Sequence, residues 1–384
     1  MNTNKINYHI ILCIIILPFV FNWIGYHTFL SSPLCISITS VLLTISLFLT
    51  LQKGMHVNDV IATWTLIGFL WITATMYNSL GTVFTCYNIF MLAFLLNNTQ
   101  FKKEQLRTIH FLVVVLLGIF IVTLDFTPFY GTYKVFQMNG EEININSFGV
   151  LILAFYYHFL LLLNNIFRKG MRYFLFLCVT PVAIYLIEIS GCRSAYLALI
   201  VFLILYLNKN FKMEHYQKVL FVMVVIAIVF PFVYLKFADK LVGLDFGGKS
   251  LLTRKYVWES AIQLIKQYPV FGSGTIYNMQ MSADRLYTSS AHNVFLGLWK
   301  TVGFFPMIIF AFRLNKGKNM QVISKPNAIK KKMFLSCIFL CVFETLLNDS
   351  DTYLFFMLLL LTERDEQIFI VQKTENENER IYFK

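Results

Sequence analysis

Stretches of roughly twenty apolar residues recur along almost the whole chain and leave little room for a soluble domain. A hydrocarbon layer of about 30 Å is crossed by about 20 residues of helix. Peptide groups inside it must be satisfied within the segment, so such runs read as helices. Candidate spans are 8–24, 30–51, 60–77, 80–97, 108–124, 148–164, 173–190, 194–207, 219–235, 292–312, 333–347 and 351–362. The expected fold is all-α, a polytopic transmembrane bundle of about 12 spans over residues 1–362. Composition agrees: 58% of the residues are hydrophobic and 14% charged, where soluble domains carry about 45–50% and about 25%.

The net charge of +12 reads as a topology signal and not as a nucleic-acid footprint, because the basic residues lie in short loops between apolar runs. With the N-terminus inside, 22 Lys and Arg fall on inside segments and two, Lys134 and Arg193, on short outside loops. Loop 236–291 is long, and long loops cross regardless of charge. Both termini are therefore expected to be cytoplasmic, with 363–384 a polar, disordered tail. Lys5 ahead of Ile10 to Phe21 has the look of a signal peptide, but no small-x-small cleavage pattern follows; the segment reads as a retained first span. The seven cysteines (13, 35, 86, 178, 192, 337 and 341) form no CxxC and no metal-ligand spacing, and read as small buried thiols.

Two outside loops are long, 125–147 and 236–291. Within the second, Val257, Trp258, Ala261, Ile262, Leu264, Ile265 and Tyr268 recur with helical period. Thr253 is a candidate cap and Pro269 a stop. This predicts an amphipathic helix lying at the membrane surface.

Three features on the outside face can carry chemistry. Arg193 sits in the turn Ser190-Gly191-Cys192-Arg193-Ser194 between two apolar spans. An ionisable group at that depth is costly and often functional, although it also serves by snorkelling to headgroups or pairing with Glu188. Arg254 and Lys255 open the amphipathic helix, where basic residues commonly meet lipid phosphates. His292 and Asn293 begin the tenth span. A helix N-terminus offers free N–H groups and partial positive charge, holds phosphate and keeps a nearby imidazole neutral, as a general base requires; an ordinary interfacial histidine fits the same place. Lys300 lies about 12 Å further along that helix, to neutralise an anion or to pair with a carboxylate such as Glu344.

Three stretches resemble the O-antigen polymerase and ligase family of bacterial polysaccharide assembly, in the family's order. They are SGCRSAYLALIVFLIL (190–205), TRKYVWESAIQLIKQYPVFGSG (253–274) and AHNVFLGLWKTVGFFP (291–306). The first resembles the family's Ser-Arg-Ser turn before a leucine-rich span. The second resembles its Arg…Trp…Ala helix ending in Pro-x-x-Gly-x-Gly, and the third its His-Asn helix start. The likeness spans roughly 173–312. Cys192 departs from it, standing where the family commonly has Ser.

The resemblance implies a GT-C-like bundle in the bacterial cytoplasmic membrane with its active site on the extracytoplasmic face. There a glycan passes from an undecaprenyl-pyrophosphate donor to an acceptor hydroxyl, with inversion at the anomeric carbon. Arg193 and Arg254 would stabilise the leaving pyrophosphate, since guanidinium is always charged and grips phosphate bidentately. His292 would take the hydroxyl proton. Lys255, Asn293, Lys300, Gly272 and Gly274 are the substrate-binding positions around them. No cofactor or metal is called for if the arginines supply the charge. Trp258, Tyr277 and Tyr287 serve as interfacial anchors or sugar-stacking rings. The expected partners are the undecaprenyl-pyrophosphate-linked oligosaccharide, the bilayer, and the flippase and chain-length regulator of the same pathway, and not nucleic acid. Polymerase is the first reading and ligase the alternative. A flippase-type transporter would instead show charges spread along the midplane of many spans and an internal repeat.

Overall fold

The computed structural model describes residues 37–45 except 39, 55–56, 103–123, 125–128, 134–138, 141–143, 145–208, 216–238, 245–246, 249–250, 252–274, 279–280, 287–288, 291–315, 327–343 and 380–381. Expected spans 8–24, 60–77, 80–97 and 351–362 lie outside these, as does most of 30–51. The described framework is helical. In chain order it comprises α1 Lys103–Thr123, α2 Ile145–Ile166, α3 Lys169–Ser190, α4 Arg193–Leu207, α5 Tyr216–Phe237, α6 Leu252–Gln267, α7 Val294–Val302, α8 Phe304–Asn315 and α9 Asn327–Leu340.

Short strands qualify the all-helical expectation. Asp125–Pro128, Lys134–Met138 and Glu141–Ile143 form an antiparallel ribbon in the first long loop. Two-residue pairings join Asp245–Phe246 to Lys249–Ser250 and Met279–Gln280 to Tyr287–Thr288 in the second. In the tail expected to be disordered, Arg380–Ile381 pairs with Met55–His56.

Among the described residues, two stretches are long and apolar enough to cross a membrane, Lys169–Ser190 and Lys218–Phe237; His110–Ile119, Phe148–Asn164 and Arg193–Leu207 are shorter apolar helices. Only 28% and 22% of the two long windows are buried, whereas the core helix of a soluble protein is mostly buried. Phe174, Leu177, Val182 and Tyr185 of α3 are exposed, as is Cys178, against the expectation of a buried thiol. Apolar surface of that extent in water would drive association; against lipid tails it carries no such cost.

The core lies between α1, α2, α3, α4, α5, α7, α8 and α9. The expected turn between α3 and α4 forms as read: Gly191 takes a left-handed φ of 65° and its N–H reaches Glu188 O. Ser190 Oγ donates to Ile187 O and accepts from Cys192 N. The turn packs onto Gly149 of α2, where an added Cβ would lie 2.2 Å from Cys192 Cβ. α9 begins six residues ahead of the expected span 333–347, which draws Lys330, Lys331 and Lys332 from a loop into buried positions. Two of the heads are accommodated at helix ends: Lys332 Nζ donates to Asn208 O at the end of α4, and Lys331 Nζ lies 4.9 Å from the Tyr216 ring centroid.

The expected span 292–312 is not one helix. It breaks at Gly303 (φ 96°) into α7 and α8, and the two fold against each other. The Phe295 and Phe310 ring centroids are 6.0 Å apart, whereas 15 residues of straight helix would separate them by about 22 Å. The tail of α6 locks this reversal. Phe304 N and the Trp299 indole both donate to Pro269 O. Ser273 N and Gly274 N reach Lys300 O and Thr301 O. A Cβ on Gly303 would sit 1.9 Å from Val270 O, and one on Gly272 (φ 74°) 2.5 Å from the Thr301 carbonyl carbon. Gly303→Ala combines an unfavourable φ with a backbone clash and should cost about 3 kcal/mol or more. Its readout is the yield of monodisperse detergent-solubilised protein, expected to collapse; wild-type yield would reject the hairpin.

Candidate functional site

The site is built around the α7 N-terminus. α5 contains Pro231, which has no N–H to return to the carbonyl four residues earlier. That carbonyl belongs to Ala227, and the Asn293 amide donates to it at 2.9 Å. The same Nδ2 donates to Val342 O at 3.1 Å, and Oδ1 caps α7 by accepting from Leu296 N at 2.8 Å. Val294 N adds a bond to Cys341 O. Asn293, fully buried, thus ties α5, α7 and the end of α9 together. Its visible work is holding helices, whereas the sequence suggested a contact to substrate. Ala227 lies near the middle of α5, so α7 starts about 15 Å short of the α5 C-terminus, recessed in the bundle.

His292, just ahead of the cap, is half-buried and the one non-glycine residue of positive φ (47°) among those described. Strained backbone of this kind concentrates at functional sites. Arg254 Nη1 lies 3.5 Å from His292 O, a long contact that brings two of the three expected catalytic residues side by side. α6 carries Arg254 there through its buried face: Val257, Trp258, Ala261 and Ile265 pack on α5 and α7. Trp258 donates to Ala291 O at 2.8 Å and meets the Tyr234 ring edge-on with centroids 5.0 Å apart. It is a buried pin, not the interfacial anchor expected. α6 runs alongside α7 in parallel, start to start and end to end. Tyr277 lies outside the described residues.

Arg193, half-buried, opens α4. Cys192 takes the N-cap position there without a side-chain cap bond, its Sγ 3.3 Å from Ser194 Oγ. α4 and α9 run antiparallel, since Lys332 near the start of α9 meets Asn208 after the end of α4. The start of α4 therefore shares an end of the bundle with Cys341 and Val342, which hold Val294 and Asn293. Arg193 lies toward the same end as His292.

The remaining expected positions fall elsewhere. Lys255 Nζ turns to Glu259 Oε1 at 3.9 Å. Lys300 is fully buried near the far end of α7. Gly272 and Gly274 clamp that far end, nine residues or about 13 Å from His292; the tight turn makes them structural. A buried pair that sequence reading missed is His110 and His158, whose Nδ1 atoms are 2.8 Å apart between α1 and α2. Each sits in an apolar run, and only the helix packing brings them together.

The comparison with known families turns on the stretch that contains this arrangement. Residues 176–311 match the family model O-Antigen ligase. The match supports assignment to the O-antigen polymerase and ligase family. It covers about a third of the chain, from within α3 to within α8, and includes Arg193, Arg254 and His292. No curated protein and no solved structure matches the chain.

Proposed function

We propose that this protein is a glycosyltransferase that joins lipid-linked repeat units into O-antigen, capsule or exopolysaccharide. The donor glycan is carried on undecaprenyl pyrophosphate at the extracytoplasmic face of the cytoplasmic membrane. The observation carrying this reading is the contact of Arg254 with His292 at the α7 N-terminus, inside the family segment and toward the Arg193 end of the bundle. His292 takes the proton of the acceptor hydroxyl as its oxygen attacks the anomeric carbon; the bond to the pyrophosphate oxygen breaks with inversion. The departing charge is met by Arg193 and Arg254. Lys255 and Lys300 add positive potential, and Asn293 with Gly272 and Gly274 hold the frame. A flippase and a chain-length regulator are the partners this chemistry needs on either side.

A second reading, transfer of finished glycan to lipid A core or another acceptor, is favoured by the description of the matching family as ligase. The polysaccharide ladder of cells carrying Arg193→Ala or Arg254→Ala separates the two. Each substitution removes transition-state charge stabilisation and should lower product at least about 100-fold. Collapse to single-repeat material marks a polymerase. Retained lipid-linked polymer without surface attachment marks a ligase. An unchanged ladder with normal protein levels rejects both.

A further inference from the structure

At the opposite end of α4 from Arg193, about 22 Å away along the helix, the bundle holds a half-open pocket of about 330 Å³. α2, α3, α4 and α9 line it, with Asn164, Lys169, Arg172, Tyr173, Tyr206 and Lys332 as its polar residues. Three of these are cations from two separate helices, and no carboxylate is among the lining residues. Arg172 is held in place by Asn164, to which its Nη1 donates. Its Nε is buried and has no hydrogen-bond partner among the described residues. The α3 N-terminus opens at Lys169, and its cap position, Arg168, makes no side-chain cap bond. The Phe176 and Tyr206 rings, 4.7 Å apart, form an apolar wall.

We propose that this pocket binds a phosphate group, borne by an anionic lipid headgroup or free in solution. Converging cations without a carboxylate repel one another, and a buried guanidinium N–H without an acceptor is costly. One phosphate relieves both. It accepts from Arg172 Nε, lies between Lys169 and Lys332, and meets the positive end of α3. Basic pockets between membrane helices suit phospholipid headgroups, and the volume lies at the lower end of the small-ligand range. The site is separate from the transfer chemistry proposed above and does not rest on it.

The test is the unfolding midpoint of the purified full-length protein in neutral detergent, with three additions: short-chain phosphatidylglycerol, inorganic phosphate, and diacylglycerol of matching chain length. A phosphate-bearing probe in large excess over its Kd should raise Tm by about 3–5 °C, and diacylglycerol should not. A shift with phosphatidylglycerol alone identifies a lipid headgroup; a shift with inorganic phosphate identifies the anion itself as sufficient. Lys169→Gln and Arg172→Gln should each remove at least half of the shift. Lys169 is exposed, so its variant keeps the fold and decides the matter alone should Arg172→Gln not fold. The proposal is overturned if neither phosphate probe shifts Tm, if diacylglycerol does so equally, or if the variants respond like wild type.

Discussion

His292→Ala should lower glycan transfer from a lipid-linked donor by about 10²–10⁴-fold, the range for removing a general base. The backbone at this position supplies a control that separates chemistry from folding. His292 holds a φ of 47°, which Gly adopts without the Cβ penalty that Ala incurs, a difference of about 1 kcal/mol. His292→Gly should therefore unfold at a higher temperature than His292→Ala while being equally inactive. Added imidazole should partly restore the Gly variant, whose vacated side-chain volume admits it. Activity within a few-fold of wild type in either variant would remove His292 from the proton transfer.

Asn293→Ala should strongly destabilise the region around the site. It removes an N-cap, worth about 1 kcal/mol, and leaves the Ala227 and Val342 carbonyls without their donor. Together the losses come to about 3 kcal/mol. Pro231→Ala gives α5 back the N–H that Ala227 O lacks, so it should recover part of the loss in the Asn293→Ala background. In the wild-type background it competes for the same carbonyl and gains little. A double-mutant cycle on denaturation midpoints reads the coupling, expected at about 1–2 kcal/mol; additive effects would sever Asn293 from the proline. Asn293→Asp keeps the cap but sets a carboxylate against two carbonyl oxygens, and should be worse than Ala.

What was legible in the sequence depended on whether its cause was local. The break between α3 and α4 was readable because Gly191 and Arg193 interrupt two apolar runs. The buried face of α6 was readable from its period, but its partner was not. An amphipathic stripe says that something covers it, not whether that is lipid or α7. Trp258 was misjudged for that reason. The α7–α8 reversal was hidden because both arms are apolar. Its local sign was Gly303 followed by Pro306 in the first turn of the next helix, the usual glycine-then-proline order around a helix break. Of the candidate site, Arg254 and His292 were readable as polar residues at helix starts, but not their contact with each other. The job of Asn293 was not, because its partner is a carbonyl 66 positions away, released by a proline that looks unremarkable within an apolar run.

Pro231 also bears on the order in which the chain assembles. While the ribosome is still delivering residues beyond 260, α5 is a complete apolar helix carrying one bare carbonyl at mid-length. Hydrocarbon provides no donor for it. The segment stays mismatched to lipid until Asn293 is synthesised and arrives. Docking of the α7 start and full accommodation of α5 in the bilayer are then one event, so a chain whose α7 has not docked still carries a defect at its centre.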